Sequence, residues 1–335
     1  MKFIMIILYD QKIILKGGDP MRKPLLNLLL SAVFVMFAYA QGLPYAITYV
    51  DMKAPPLKKK PAIVLCAFGT STKAKVTFDV IDREVKAHFP GYHIVWAFTS
   101  DIIIHKVNQI YKRRHLHKKL YNLQEVLAKL YAEGYRKVVV QPLHIFPGTE
   151  YDKVVDICKK FPGLRIVVGE PLFYRWERIN EVLEDVSKEF LKPNEGLNIL
   201  VAHGTPVTIV KDNITYLGLD WIVRHRYKNV LVGTVEGVPT AEEVLNEAKH
   251  YPVKRVRFIP FMLVAGDHIM HDIMGKNLEE EKSWRERLEE AGIHVECVTT
   301  QVHGKIYYKG LGLYPRVVKL FIESIERCLK IMKEY

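Results

Sequence analysis

Short apolar blocks alternate with longer charged stretches from about residue 61 to residue 335. The blocks at 62–67, 93–97, 137–141, 165–168, 198–202, 229–232 and 255–260 are rich in Val, Ile and Leu and read as strands. Between them, segments 75–88, 123–133, 176–189, 241–249, 283–291 and 316–333 place apolar residues at helical spacing. Strands that take turns with helices predict α/β units around mostly parallel sheets.

The pattern is written twice. IVLCAFGTS (63–71) matches ILVAHGTP (199–206), placing Phe68 opposite His203 at an offset of 135. VWAFTS (95–100) falls opposite LVGTVE (231–236) at offset 136, pairing Ser100 with Glu236. QPLHIFPGTEYD (141–152) falls opposite IPFMLVAGDHIM (259–270) at offset 118, pairing Pro142 with Pro260, Gly148 with Gly266 and Glu150 with His268. An internal duplication of one Rossmann-like α/β unit is expected, with about 18 extra residues in the first copy between its second and third matched strands.

All the matched positions sit at the carboxyl ends of predicted parallel strands, where open α/β sheets bind ligands. The second copy carries His203, Glu236 and His268 there; the first carries Phe68, Ser100 and Glu150. A single histidine after a strand reads most simply as a capping or core residue. Two imidazoles and a carboxylate at three matched strand ends read as a divalent-metal site that accepts Co, Fe, Ni or Zn. Asp267 and Asp272 are candidates for orienting imidazoles, and His271 shares the helical face of His268.

Other chemistries lack their residues. The chain has no G-x-x-x-x-G-K-[ST], so no nucleotide is expected, and it has neither a G-x-S-x-G elbow nor H-E-x-x-H. Gly69-Thr70-Ser71 and Gly204-Thr205-Pro206 follow strands but are too short to indicate a nucleotide. Zinc-finger spacing and an aromatic RNP-like strand are both missing, so nucleic acid is not an expected partner. The basic run Lys112, Arg113, Arg114, His115, His117, Lys118, Lys119 reads as a solvated face or, alternatively, as a lid or anchor for an anionic ligand.

Composition adds location and charge. Of 335 residues 49% are apolar and 26% charged, and the net charge of +12 favours an anionic partner. Residues 25–40 form an apolar run after Arg22 and Lys23 and end in Ala38-Tyr39-Ala40, the layout of a cleaved signal peptide; the run is short for a bilayer span. Residues 1–40 are therefore read as a signal peptide, with Met21 as an alternative start, and 41–60 as a linker. Cleavage removes five cations and two anions, leaving +9 on a periplasmic or otherwise exported chain with no permanent span; an uncleaved chain would be cytoplasmic or membrane-tethered. Cys66 reads as a buried thiol, and one disulfide among Cys158, Cys297 and Cys328 stays open. The apolar C-terminal helix is expected to cover its own domain or a second copy, so a homo-oligomer also stays open.

Taken together, AFGTS (67–71), AFTSDIII (97–104), QPLHIFPGTEY (141–151), VAHGT (201–205), GTVEGVPT (233–240) and PFMLVAGDHIMHDIMG (260–275) resemble the anaerobic sirohydrochlorin cobaltochelatases of the CbiK type, ATP-independent class II chelatases related to ferrochelatase. The resemblance runs from about Pro61 to the C-terminus. It implies the two-domain chelatase fold: an N-terminal half at 61–196, a C-terminal half carrying the metal ligands at 197–310, and a terminal helix at 311–335. By the same resemblance the substrates are Co(II), with Fe(II), Ni(II) or Zn(II) as alternatives, and sirohydrochlorin, an octacarboxylate. The family's metal ligands fall on His203, Glu236 and His268, and its further carboxylate falls on Glu150; His203, His268 and Glu150 are the expected catalytic groups. His144 lies near the cleft without a role. The alternative is an exported metal- or haem-binding protein that retains the fold.

Overall fold

In the computed structural model the described residues are Ser31, 56–206, 208–276 and 282–334. The expected signal peptide and most of the linker lie outside them. All the elements below belong to the compact unit Pro55–Tyr335.

Two four-stranded parallel sheets form the frame. The first has the order β2-β1-β3-β4, with β1 at Ala62–Ala67, β2 at His93–Phe98, β3 at Lys137–Pro142 and β4 at Arg165–Val168. The second repeats it as β6-β5-β7-β8, with β5 at Leu197–Gly204, β6 at Val230–Glu236, β7 at Arg255–Pro260 and β8 at His294–Cys297. Registers agree as well: Ala67 faces Phe98 and Cys66 faces Pro142, while Ala202 faces Thr234 and Val201 faces Pro260. A one-residue slip would turn every side chain to the other face, so equal registers mean that matched residues point the same way in both halves. The final hairpin of β9 (Thr299–Val302) with β10 (Lys305–Tyr308) is antiparallel.

Strand alternation distributes the core. Ile63, Leu65 and Ala67 face a central cluster, whereas Ala62, Val64 and Cys66 face an outer one with the helix α3 (Leu123–Ala132). The central cluster continues through Leu200, Ala202, Val232 and Ile259 of the second sheet, so the two halves share one core. The outer face of the second sheet packs on α7 (Ala241–His250) and α8 (Trp284–Glu289). α3 and α7 are repeat partners down to their starts: Asn122 with Glu125 and Thr240 with Glu243 form equivalent capping boxes.

The extra segment of the first half is a complete helix, α2 (Asp101–Arg113), with the loop that follows it. Ser100, the repeat partner of Glu236, caps this helix by accepting from the Ile103 N–H. The basic residues from Lys112 to Lys119 are all exposed at its end.

Helix α9 (Pro315–Glu334) ends the chain but packs on the first half, its buried stripe of Val317, Phe321, Ile325 and Cys328 joining the central cluster. There the Ser324 hydroxyl accepts from the Glu170 N–H at 3.0 Å and Arg327 pairs with Glu170 at 3.0 Å. The helix thus covers the opposite half of its own chain. All four cysteines are free thiols. Burial pushes Cys158 up to about 12 and Cys328 up to about 11, which keeps both protonated. Among the described residues no helix is long and apolar enough to cross a membrane.

Candidate functional site

The carboxyl ends of both sheets open into one cavity of about 630 Å³, lined from the first half by Phe68, Thr70, His144 and Glu150 and from the second by His203, Glu236 and His268. All four residues expected to carry chemistry therefore reach the same space. Two of them sit inside strands, because β5 and β6 continue further than the apolar pattern indicates and pair Gly204 with Glu236. Gly204 has φ +80°, and a Cβ there would lie 1.5 Å from the Glu236 carbonyl oxygen. Only glycine permits this approach, which sets the backbone beside His203 against that of Glu236.

The imidazoles of His203 and His268 meet edge to face, with ring centroids 4.7 Å apart and planes at 87°. His203 Nδ1 lies 3.1 Å from the Gly204 carbonyl oxygen, an acceptor, so Nδ1 donates this bond and Nε2 is the nitrogen it leaves unengaged. His268 precedes a π-turn at Ile269–Ile273, a wide turn frequent at functional sites, and its Nδ1 lies 2.6 Å from Asp272 Oδ2. That contact orients the second ring in the same manner and directs its Nε2 away from the carboxylate. His271 is exposed and pairs with Asp267 at 3.1 Å, outside the cavity lining.

Across the cavity, Glu150 stands in the first turn of α4 (Thr149–Lys160). Gly148 at the cap position has no side chain to offer, and the cap comes from the other half. Asp212 of α6 (Val210–Arg226) accepts from the Thr149 N–H at 3.1 Å and from its hydroxyl at 2.6 Å. One helical turn on, Lys211 pairs with Asp152 at 2.6 Å. These contacts tie the two halves together on either side of Glu150, which lines the cavity. Neither could be found from the repeat, because each joins residues that are not repeat partners.

Two groups on the first wall lack partners among the described residues: Glu150 Oε2 and both ring nitrogens of His144 are shielded from solvent without a hydrogen bond. Desolvation lowers His144 to about 4, so its ring is neutral at physiological pH.

Two further observations bear on the site. Among the described residues no three His, Cys, Asp or Glu side chains are gathered closely enough to hold a metal ion, and Glu236 is exposed at the strand end. Among the described residues no lysine or arginine borders the cavity, whereas Glu150, Asp212, Glu236 and Asp267 do. The run from Lys112 to Lys119 is a solvated helix end, and α2 sends only Ile103 to the cavity.

Protein-family comparison matches the cobalt chelatase (CbiK) model over residues 61–330. The sirohydrochlorin cobaltochelatase CbiKC of Nitratidesulfovibrio vulgaris is 33% identical over 266 residues, covering 76% of this chain and 87% of that protein. The sirohydrochlorin cobaltochelatase of Salmonella typhimurium is 27% identical over 281 residues, covering 82% of this chain and 98% of the relative. Among solved structures, SirB from Bacillus subtilis with Fe3+ superposes with a TM-score of 0.51 at 13% identity over 82% of this chain and 98% of SirB, a likeness of fold. A family match that spans both sheets, over a cavity lined by two oriented imidazoles and a half-buried carboxylate, places the chain in the cobalt chelatase (CbiK) family.

Proposed function

We propose that this chain inserts Co(II) into sirohydrochlorin without ATP, exchanging the two pyrrole N–H protons for the metal. The observation that carries the reading is the imidazole pair, 4.7 Å apart and each held through Nδ1, facing Glu150 across one cavity. His203 and His268 present Nε2 to the incoming ion, and Glu236 offers a carboxylate from the next strand end. Glu150 receives or orients the ring N–H groups from the opposite wall. The ligand types accept Fe(II), Ni(II) or Zn(II) as well, and supply decides among them.

The macrocycle core occupies the cavity, whose walls include Phe68, Leu143, Phe146 and Leu263. Its acidic arms point outward, since carboxylates would meet like charges within. Relatives that bear chelatase names do not favour the alternative of a pure metal- or haem-binding protein. Purified protein mixed with Co(II) and sirohydrochlorin should shift the tetrapyrrole absorption spectrum faster than buffer alone. His203→Ala and His268→Ala should each lower the rate by about 10²-fold or more with the fold intact. Metal binding without accelerated insertion would refute the enzyme reading.

Residues 25–40 support export of the chain, with the mature protein starting at Gln41. Fractionation with N-terminal sequencing tests this: a cytoplasmic protein that retains residues 25–40 would overturn it.

A further inference from the structure

His144 has no part in the reading so far, yet its surroundings give it one. It follows β3, with its backbone fixed on both sides: the Leu143 N–H donates to the Cys66 carbonyl at 2.7 Å, and the Leu172 N–H donates to the His144 carbonyl at 2.9 Å. The ring lines the cavity with both nitrogens shielded and unpartnered among the described residues. A buried polar group left without a partner destabilises a fold, so two on one side chain call for a ligand that satisfies them. The repeat sharpens the point. At offset 118 the partner of His144 is Met262, which lines the same cavity and carries no proton-accepting nitrogen.

Glu150 lines the same cavity from the same half, and Leu143, next to His144, is held at the end of β1 by its bond to Cys66. The first half therefore brings to the cavity a carboxylate oxygen and an imidazole, both without a partner among the described residues, and no described lysine or arginine is among the lining residues. An acidic arm of the ring would be repelled there by Glu150. A pyrrole N–H, a neutral donor, fits.

We propose that His144 is a further catalytic residue, the acceptor of a pyrrole proton from the wall opposite His203 and His268, working beside Glu150. This rests on the chelatase reading. The N–H bond breaks, its proton passes to an imidazole nitrogen, and the electron pair left on the pyrrole nitrogen becomes the bond to Co(II); the proton then leaves to water. A second N–H loses its proton in the same way, to Glu150, so that two protons are released per metal inserted. A neutral ring has its lone pair ready, and each Co–N bond formed acidifies the N–H groups that remain, so a weak base suffices.

The test uses the full chain with Co(II) and sirohydrochlorin, and the variants His144→Ala and His144→Phe. Turnover should fall about 10²-fold in both, with the tetrapyrrole Kd from fluorescence quenching changed less than about threefold. Free imidazole should restore turnover at least about tenfold in His144→Ala, where the space is vacated, and not in His144→Phe. The melting temperature of His144→Phe should equal or exceed that of the wild type, because no bond is lost; a structural histidine would lower it. Near-normal turnover in His144→Ala, or a loss that imidazole does not restore, overturns the assignment. A wild-type chain that fails to insert cobalt overturns the chelatase reading itself, and this proposal with it.

Discussion

At the scale of single residues, the site is held by contacts that aim nitrogens rather than by contacts that stabilise the fold. Asp272 is half exposed, so its bond to His268 Nδ1 contributes little to folding but directs the ring. Asp272→Ala should weaken Co(II) binding about 10- to 100-fold in calorimetric titration with the melting temperature nearly unchanged. Gly204 is the opposite case. Its positive φ and the 1.5 Å approach of a Cβ to the Glu236 carbonyl mean that Gly204→Ala must force β5 and β6 apart. A loss of more than about 1 kcal/mol in urea unfolding is expected together with loss of activity, and a variant with full stability and turnover would show that the approach is dispensable.

At the scale of elements, the helices α4 and α6 are joined by a cap that neither supplies to itself. Asp212→Ala should cost about 1 kcal/mol, as N-cap removals do, and also reduce insertion by releasing Glu150. Asp212→Asn should recover most of the stability, read by thermal melts. The helices that the apolar pattern did not predict are those that bury little. In α2 only Val107 is buried, in α4 only Val154 and Cys158, and α6 exposes Val210, Ile214, Leu217 and Trp221 on one face while burying Leu219 and Val223 on another. In α6 no single apolar stripe leaves a clear period to read, whereas α2 and α4 carry a helical period whose apolar face is only partly covered. The strands were legible because both faces of each central strand are buried. That His203, Glu236 and His268 come to one cavity was legible because duplication preserved strand register, which periodicity alone does not reveal. The cavity's lack of basic residues was hidden from composition, since net charge does not tell which surface carries it.

At the scale of the whole molecule, the last helix closes the first half. Glu170 binds Arg175 and Arg178 and reaches Arg327 of α9. Burial alone would raise its carboxyl, but the hydrogen bonds to Arg175 and the charges of Arg327 and Arg178 outweigh that and hold it below the usual carboxylate range. A depressed folded-state pKa contributes stability that is present above the unfolded value and lost as pH falls through the folded one. Glu170→Gln should therefore lower the melting temperature at pH 7, with the gap to wild type closing below about pH 4; a gap that persists at low pH would assign the effect to packing instead. Deleting 315–334 removes Val317, Leu320, Phe321 and Ile325 from the central cluster. Each fully buried side chain of that size accounts for about 1.5–3 kcal/mol, against a total stability of about 5–15 kcal/mol. The shortened chain should lose cooperative unfolding by circular dichroism.

The crossing of α9 also sets an order of events during synthesis. Domains made early on the ribosome commonly fold before later ones emerge. Here the sheet made first waits for the residues made last, since the stripe that covers it lies at Val317–Met332. Until then the nascent first half presents apolar strands to the cell, a state that holding chaperones recognise.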